Sequence, residues 1–147
     1  MQKKNNRIPL LPFFRKAVEP MSVFAVGAFV YLFMELFWRG HSHITMFFAG
    51  GICFLLIYMG EKRLGGYPAF TRCVLYAYLI TAVELVFGVV FNLLLGWEVW
   101  DYSDRTLNLW GQICPLFFFL WIGVSYLAVR LCRPLRRHFE KVRQKIS

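Results

Sequence analysis

Two carboxylates of this sequence lie inside long apolar stretches, where a charged side chain is unusual. Glu84 lies near the middle of a stretch that runs from about residue 73 to 96, and Glu35 lies near the end of another. Because an ionisable side chain in a membrane-spanning helix is expensive, it marks a functional site by default. We therefore predict a proton or cation site that uses one or both carboxylates. In the alternative interpretation each Glu is a buried hydrogen-bonding tether, with Glu35 paired to Arg39 one helical turn away.

Small and polar side chains recur on both sides of Glu84 at spacings of three and four residues. The full set is Ala77, Thr81, Glu84, Gly88 and Asn92. This spacing places them on one side of an α-helix, and the polar side of a membrane helix packs against other helices. The candidate transport site therefore comprises Glu35, Thr81, Glu84, Gly88 and Asn92. In the alternative these side chains are helix-packing contacts.

An external loop motif lies between the third and fourth apolar stretches. It consists of Trp100, Asp101, Tyr102 and Ser103, followed by Asn108, Gly111 and Gln112. Trp and Tyr prefer the boundary between membrane and water, and Asp and Ser favour turns. We predict a lid over the outer face of the protein. An interfacial turn is the alternative, and the two interpretations are compatible.

Two histidines, His41 and His43, lie in the short turn after the first apolar stretch. His side chains two residues apart and near a carboxylate are weak candidates for a transition-metal site. A polar turn in which the His rings cap helix ends is the favoured interpretation, so we predict neither a metal site nor a cofactor. The sequence also lacks a Walker lysine loop, a GxSxG motif and an HExxH motif. We expect no enzymatic activity, and any use of ATP would require a separate ATPase subunit.

The elements that must position these side chains are four long apolar stretches. Apolar residues make up 59% of the chain and charged residues only 17%, whereas about a quarter of a soluble domain is charged. The stretches span about residues 21–38, 44–60, 73–96 and 109–129, and each is long enough to cross the hydrocarbon layer as a helix. None alternates like a barrel strand. We predict an all-α integral membrane protein: one domain over residues 1–147, with four transmembrane helices and a basic tail from residue 130.

The distribution of charge predicts the orientation in the membrane. The net charge of +9 comes from basic residues in segments 1–20, 61–72 and 130–147, whereas segment 97–108 carries three acidic residues and one basic residue. Basic loops stay on the cytoplasmic side. We therefore expect a multi-pass protein of the cell (plasma or inner) membrane with both termini in the cytoplasm. No soluble module combines basic and aromatic residues as nucleic-acid binding requires, so the predicted partner is the lipid bilayer and not nucleic acid.

The two halves of the sequence share short segments that are compatible with an internal duplication. Segment 34–36 (MEL) corresponds to 83–85 (VEL), and segment 50–53 (GGIC) corresponds to 111–114 (GQIC). A duplication would make the fold two helical hairpins related by an axis along the membrane normal. Chance similarity between apolar segments is the alternative. In the second half, Pro115 is expected to kink the fourth helix.

From about Tyr31 to Tyr126 the chain resembles the CmpB-like family of small bacterial membrane proteins, which is named for type IV permeases of ABC transporters. The resemblance is carried by the residues from Glu84 through the WDYS motif at 100–103 to the GQIC motif at 111–114. It implies a permease-like transporter subunit that assembles with copies of itself or other membrane subunits, and with an ATPase subunit. A non-transporting structural or accessory membrane protein is the alternative function.

Overall fold

The computed structural model describes residues 11–146, with the side chains of residues 17–145; the basic segment 1–10, on which part of the predicted orientation depends, lies outside the described residues. Within this range the chain forms four α-helices, which are α1 (Leu11–Arg39), α2 (Ile44–Leu64), α3 (Ala69–Phe87) and α4 (Pro115–Ile146). A π-helical turn, Gly88–Leu94, extends α3. All four helical segments are long and apolar enough to cross a membrane. The predicted all-α membrane fold with four transmembrane helices is confirmed.

Large apolar side chains lie on the outside of the bundle as well as in its interior. Phe37, Phe70 and Leu94 are 93%, 73% and 74% exposed. Contact with water at so many such positions would be costly, whereas lipid tails accept apolar side chains. The main interior cluster includes Ile57 of α2 and Tyr76 of α3, which are almost fully buried. The outer surface of the bundle is therefore suited to lipid.

The first two helices pack closely because glycines replace larger side chains at their crossing. A Cβ atom added at Gly27 of α1 would overlap the side chain of Phe54 and lie 2.9 Å from the carbonyl oxygen of Gly50. A Cβ atom added at Gly50 would overlap the ring of Tyr31. Small residues at helix crossings let membrane helices approach and gain van der Waals contact. The α1–α2 hairpin is thus stabilised by close van der Waals contact between the two helix backbones and the aromatic side chains of Tyr31 and Phe54.

Both ends of the described chain lie on the same side of the bundle, which we call the tail end. The carboxylate of Glu19 in α1 accepts hydrogen bonds from Tyr58 of α2 and from Arg143 of α4, each at 2.7 Å. Arg136 of α4 also donates to the carbonyl oxygen of Tyr58 at 2.9 Å. The turn between α2 and α3 follows at this same end. The described parts of the segments that the charge pattern groups together are therefore neighbours in the fold.

The opposite side of the bundle, which we call the loop end, carries residues 95–114, the loop segment. Arg39 Nη2, at the end of α1, donates a hydrogen bond of 2.9 Å to the carbonyl oxygen of Val99. Val99 and Trp100 are buried in a small cluster with Met46 of α2. The loop segment therefore folds onto the ends of the helices and extends the core there.

The fourth helix begins later than predicted. Leu109 and Ile113 form a short antiparallel bridge, and α4 begins at Pro115. Proline suits the first helical position because its missing N–H would have no partner there. Pro115 therefore starts the helix and does not kink it, and the fourth span does not include residues 109–114. The GQIC motif at 111–114 lies outside α4 whereas GGIC at 50–53 lies inside α2, so the two segments do not occupy equivalent positions in the two halves.

Candidate functional site

A cavity of about 590 Å³ lies at the loop end, between α1, α4 and the loop segment. Because α1 packs mainly against α2 and α4 mainly against α3, a gap remains between α1 and α4. The aromatic side chains that line the cavity are Tyr31, Phe37, Trp38, Trp100, Tyr102, Phe117 and Trp121. Small-molecule sites are clefts of roughly 300–1,000 Å³ with mostly apolar walls. The cavity is therefore the candidate ligand site of the described part of the chain.

The cavity wall also carries charge. Its charged members are Glu35, Arg39, Asp101, Asp104 and Arg105. Arg39 lies 3.2 Å from Glu35, and Arg105 lies 3.5 Å from Asp104, whereas Asp101 forms no ion pair with another described residue. Hydrogen bonds from the hydroxyl and the backbone N–H of Ser103, at 2.6 and 2.8 Å, lower the pKa of Asp101. Asp101 is therefore ionised at neutral pH, and its charge makes the wall net negative.

Glu84 lies directly behind the cavity wall. It is only 7% exposed, and its two carboxylate oxygens have different partners. Tyr102 donates its hydroxyl to Oε1 at 3.0 Å, and Trp121 donates its ring N–H to Oε2 at 3.0 Å. Both donors are neutral, and none of the ion pairs among residues 17–145 includes Glu84. Both donors line the cavity, whereas Glu84 is not among its lining residues.

The two donors are themselves held in place by packing. The ring of Tyr102 stacks on Phe117 of α4, with centroids 4.4 Å apart and planes 15° from parallel. Burial, followed by the nearby charge of Glu84, raises the pKa of the Tyr102 hydroxyl, so it keeps its proton and remains a donor. The ring of Trp121 lies between Phe117 and Tyr31, with centroids 6.3 and 6.2 Å away. The loop segment and α4 each supply one donor, so Glu84 joins α3 to both.

Glu35 lies in the cavity wall itself, at the end of α1. The ion pair with Arg39 that the spacing predicts is present, and Glu35 also accepts a hydrogen bond from the hydroxyl of Ser42. Arg39 also donates a hydrogen bond to the carbonyl oxygen of Val99. By orienting Arg39, Glu35 therefore helps to position the loop segment. Glu35 and Glu84 thus lie at one cavity, the former on its surface and the latter behind its aromatic wall.

Asn92 and Gln112 connect the end of the third span to the loop segment. The side-chain amide of Asn92 donates to Gln112 Oε1 at 2.7 Å and to the carbonyl oxygen of Trp100 at 2.9 Å. Its own oxygen accepts the backbone N–H of Val99 at 2.7 Å. Gly88 leaves room for Gln112, whose Oε1 would lie 2.5 Å from an added Cβ atom. These three predicted site residues, Asn92, Gln112 and Gly88, are packing and hydrogen-bonding partners and lie outside the cavity lining.

The remaining members of the loop motif build a compact turn. Asn108 donates to the carbonyl oxygen of Arg105 at 2.8 Å and accepts the backbone N–H of Gly111 at 2.9 Å. Gly111 has a φ of +69°, and an added Cβ atom would lie 2.6 Å from Ser103 Oγ. Trp100 donates its ring N–H to the carbonyl oxygen of Gln112 at 3.0 Å. The motif is therefore held by its own internal hydrogen bonds, and its members Trp100, Asp101 and Tyr102 line the cavity.

Other sequence candidates lie away from the cavity. His43 caps α2 by accepting the backbone N–H of Thr45, as predicted, and exposed His41 lies 2.9 Å from the carbonyl oxygen of Arg39. Among the described residues there is no group of three His, Cys, Asp or Glu side chains that could hold a metal ion. Thr81 Oγ1 is buried and makes no hydrogen bond in the described part of the chain. These residues do not line the cavity.

Sequence reasoning missed Trp121, which supplies half of the hydrogen bonding of Glu84. A buried Trp usually finds an acceptor for its ring N–H, so a Trp inside an apolar span indicates a polar partner nearby. That pattern does not identify the partner, which lies 37 residues earlier on another helix. Only the packing of α3 against α4 brings the two side chains together.

Comparison with known proteins agrees with this membrane architecture. No curated protein and no solved structure matches the chain. The model of the CmpB family, described as "Putative ABC-transporter type IV", matches residues 17–147. This match covers nearly all of the 147 residues, so the chain belongs to that family, as its resemblance at the loop motif predicts.

Proposed function

We propose that the protein is a membrane-embedded, solute-binding subunit of an ABC-type transport complex and that the loop-end cavity is its solute site. The observation that supports this proposal most directly is the cavity of about 590 Å³, two of whose lining residues donate hydrogen bonds to the buried carboxylate of Glu84. A buried carboxylate in a span is costly, and such residues face substrate paths in membrane proteins. Family membership supports a transport-related role.

The proposed orientation places the tail end in the cytoplasm of the cell's inner or plasma membrane, with the loop end outside. It is supported by the basic residues of the α2–α3 turn and of the tail, which favour the cytoplasmic side. The cavity then lies at the outer end of the bundle, whereas the side chains between it and the tail end are packed into the core cluster. Four helices do not enclose a complete path in this arrangement. A second copy or another membrane subunit is proposed to complete it, with a separate ATPase supplying the energy.

The first experiment asks whether the protein moves solute. The purified chain is reconstituted into liposomes, alone and with co-purifying subunits, and screened for flux of ions and small solutes. We expect flux that falls in Glu84→Gln and is retained in Glu140→Gln, a matched change at an exposed position of α4. Absence of flux for every solute, or flux unchanged by Glu84→Gln, would refute the proposal.

A second candidate function is that of a non-transporting accessory protein. It is favoured by the hydrogen bonds of Asn92, which are all used to hold the loop segment. Crosslinking in native membranes separates the two functions. Stoichiometric capture of an ATPase subunit supports the transport role, whereas capture of an unrelated membrane complex supports the accessory role.

A further inference from the structure

We infer that the loop-end cavity binds an organic cation with an apolar body. This inference rests on the proposed function, since it names the class of solute for the same site. It follows from three features of the cavity: the unpaired charge behind its wall, the chemistry of the wall, and the direction in which it opens.

The first feature is the missing counter-charge of Glu84. Its carboxylate accepts hydrogen bonds only from Tyr102 and Trp121, both neutral, and no described cation pairs with it. A buried carboxylate without a positive partner is strongly disfavoured. Both donors also line the cavity, so a cation bound there would lie close to Glu84 and supply the missing charge. An anion there would add a second uncompensated negative charge.

The second feature is the aromatic wall. Cations bind to the faces of Trp and Tyr rings, and cages of such rings recognise quaternary ammonium groups. When a ring donates a hydrogen bond to a carboxylate, as Tyr102 and Trp121 do, its remaining electron density is polarised toward greater negative charge. Asp101 on the wall carries a charge that no described base neutralises. The wall is therefore complementary to a positive ligand.

The wall also argues against a metal ion as the ligand. Hard divalent cations require about six oxygen ligands at short distances. Glu35, one of the carboxylates that line the cavity, is already engaged by Arg39 and Ser42. Glu84 is covered by the two donor rings. The wall thus provides ring faces and diffuse negative charge, which suit a large cation of low charge density.

The third feature is the gap between α1 and α4. Its edges carry exposed apolar side chains, including Met34 and Phe37 of α1 and Leu120 of α4. In a bilayer these side chains face lipid, so a ligand can enter the cavity sideways from the hydrocarbon layer. Such an entry favours molecules that partition into membranes, and the apolar body would lie against these side chains.

The test compares ligands of matched shape and different charge on the unaltered full-length protein. Tetraphenylphosphonium is the cation, tetraphenylmethane is its neutral analogue and tetraphenylborate is its anionic analogue. Equilibrium binding is measured by competition against radiolabelled tetraphenylphosphonium in detergent micelles, with protein-free micelles as the blank. We expect the cation to bind at least tenfold more tightly than either analogue. If either analogue binds as tightly as the cation, or if the cation binds no more than in the blank, the inference is overturned.

Single-residue variants test whether tetraphenylphosphonium binds in the loop-end cavity. We expect Glu84→Gln to weaken tetraphenylphosphonium binding at least tenfold, and the matched exposed change Glu140→Gln to leave it unchanged. An equal effect of the two would overturn the assignment to this cavity. If Glu84→Gln does not fold, the comparison of ligand charges on the unaltered chain decides, with Asp101→Asn as the second variant. Asp101→Asn is expected to reduce the preference for the cation over tetraphenylmethane several-fold, and an unchanged preference counts against the inference.

The outcomes separate this inference from the proposed function. Charge-selective binding that depends on Glu84, without flux of any solute, would support the ligand class and refute transport. Flux of a solute of another class, with no preference for tetraphenylphosphonium over its analogues, would refute the ligand class and support transport.

Discussion

Removal of the Tyr102 hydroxyl is the sharpest single test of the site geometry. Tyr102→Phe deletes the donor 3.0 Å from Glu84 Oε1 and keeps the ring that stacks on Phe117. Hydrogen bonds between neutral groups of membrane helices average about 0.6 kcal/mol, whereas a bond to a charged group contributes about 1.5–3 kcal/mol. Because the acceptor here is a buried carboxylate, we expect a loss of about 1.5–2 kcal/mol in the free energy of unfolding.

The assay is reversible unfolding in mixed micelles, followed by tryptophan fluorescence. Tyr78→Phe is the matched control. Tyr78 lies in α3 and is 62% exposed, and the ring of Phe keeps the contact that Tyr78 makes with Phe118. In a Glu84→Gln background the loss caused by Tyr102→Phe should fall to about 0.5–1.5 kcal/mol, the range for a bond between neutral groups. If Tyr102→Phe costs no more than Tyr78→Phe, the hydroxyl does not bind Glu84 and the site geometry is wrong.

Three further predictions concern the loop segment. Gly111→Ala should lower the free energy of unfolding by about 1–2 kcal/mol, because an L-residue is strained at a φ of +69°; an unchanged thermal midpoint would contradict this. Asn92→Ala removes three hydrogen bonds at the base of the segment and should cost about 2–3 kcal/mol, with faster proteolysis of residues 95–114; equal proteolysis rates would count against it. The hydrogen bonds from Ser103 lower the pKa of Asp101 in the folded state, so their stabilisation is present above about pH 4 and is lost as pH falls through the lowered value. Wild type should therefore be more stable than Asp101→Asn at pH 7 and lose this advantage in acid, and a difference independent of pH would refute the assignment.

Local patterns in the sequence predicted the parts of the fold that depend on neighbours in the chain. Four apolar stretches were enough to predict four membrane helices, because a helix satisfies its own backbone hydrogen bonds and needs only sufficient length to cross lipid. The spacing of Glu35 and Arg39 predicted their ion pair. The spacing of Glu84 and Gly88 predicted that both face the interior, and both are buried.

The start of the fourth helix was not predictable from hydropathy, because Leu109 and Ile113 are as apolar as residues of a span. Two backbone constraints decide against a helix there. Gly111 adopts a positive φ, and Pro115 occupies the first helical position, where proline is favoured. Both residue types are visible in the sequence, and giving them more weight than the apolar pattern would have placed the helix start correctly.

The partners of Glu84 were not predictable, because they depend on how α3 packs against α4 and the loop segment. Tyr102 and Trp121 follow Glu84 by 18 and 37 residues, and no periodicity links them to it. The sequence therefore identified the carboxylate and its burial but neither its hydrogen bonds nor the cavity beyond them.

The geometry of Glu84 also determines which experiment can separate a role in cation binding from a role in packing. A carboxylate offers two acceptor oxygens, and here each one meets its own donor, Tyr102 or Trp121. Glutamine has one acceptor oxygen, and its amide group would face the second donor, so Glu84→Gln disturbs the packing in either hypothesis. Loss of function in that variant alone therefore favours neither role. The two roles differ in the use of the negative charge: packing requires only two acceptors, whereas binding a cation requires the charge itself. Ligands of equal shape and different charge, measured on the unaltered chain, test that difference directly.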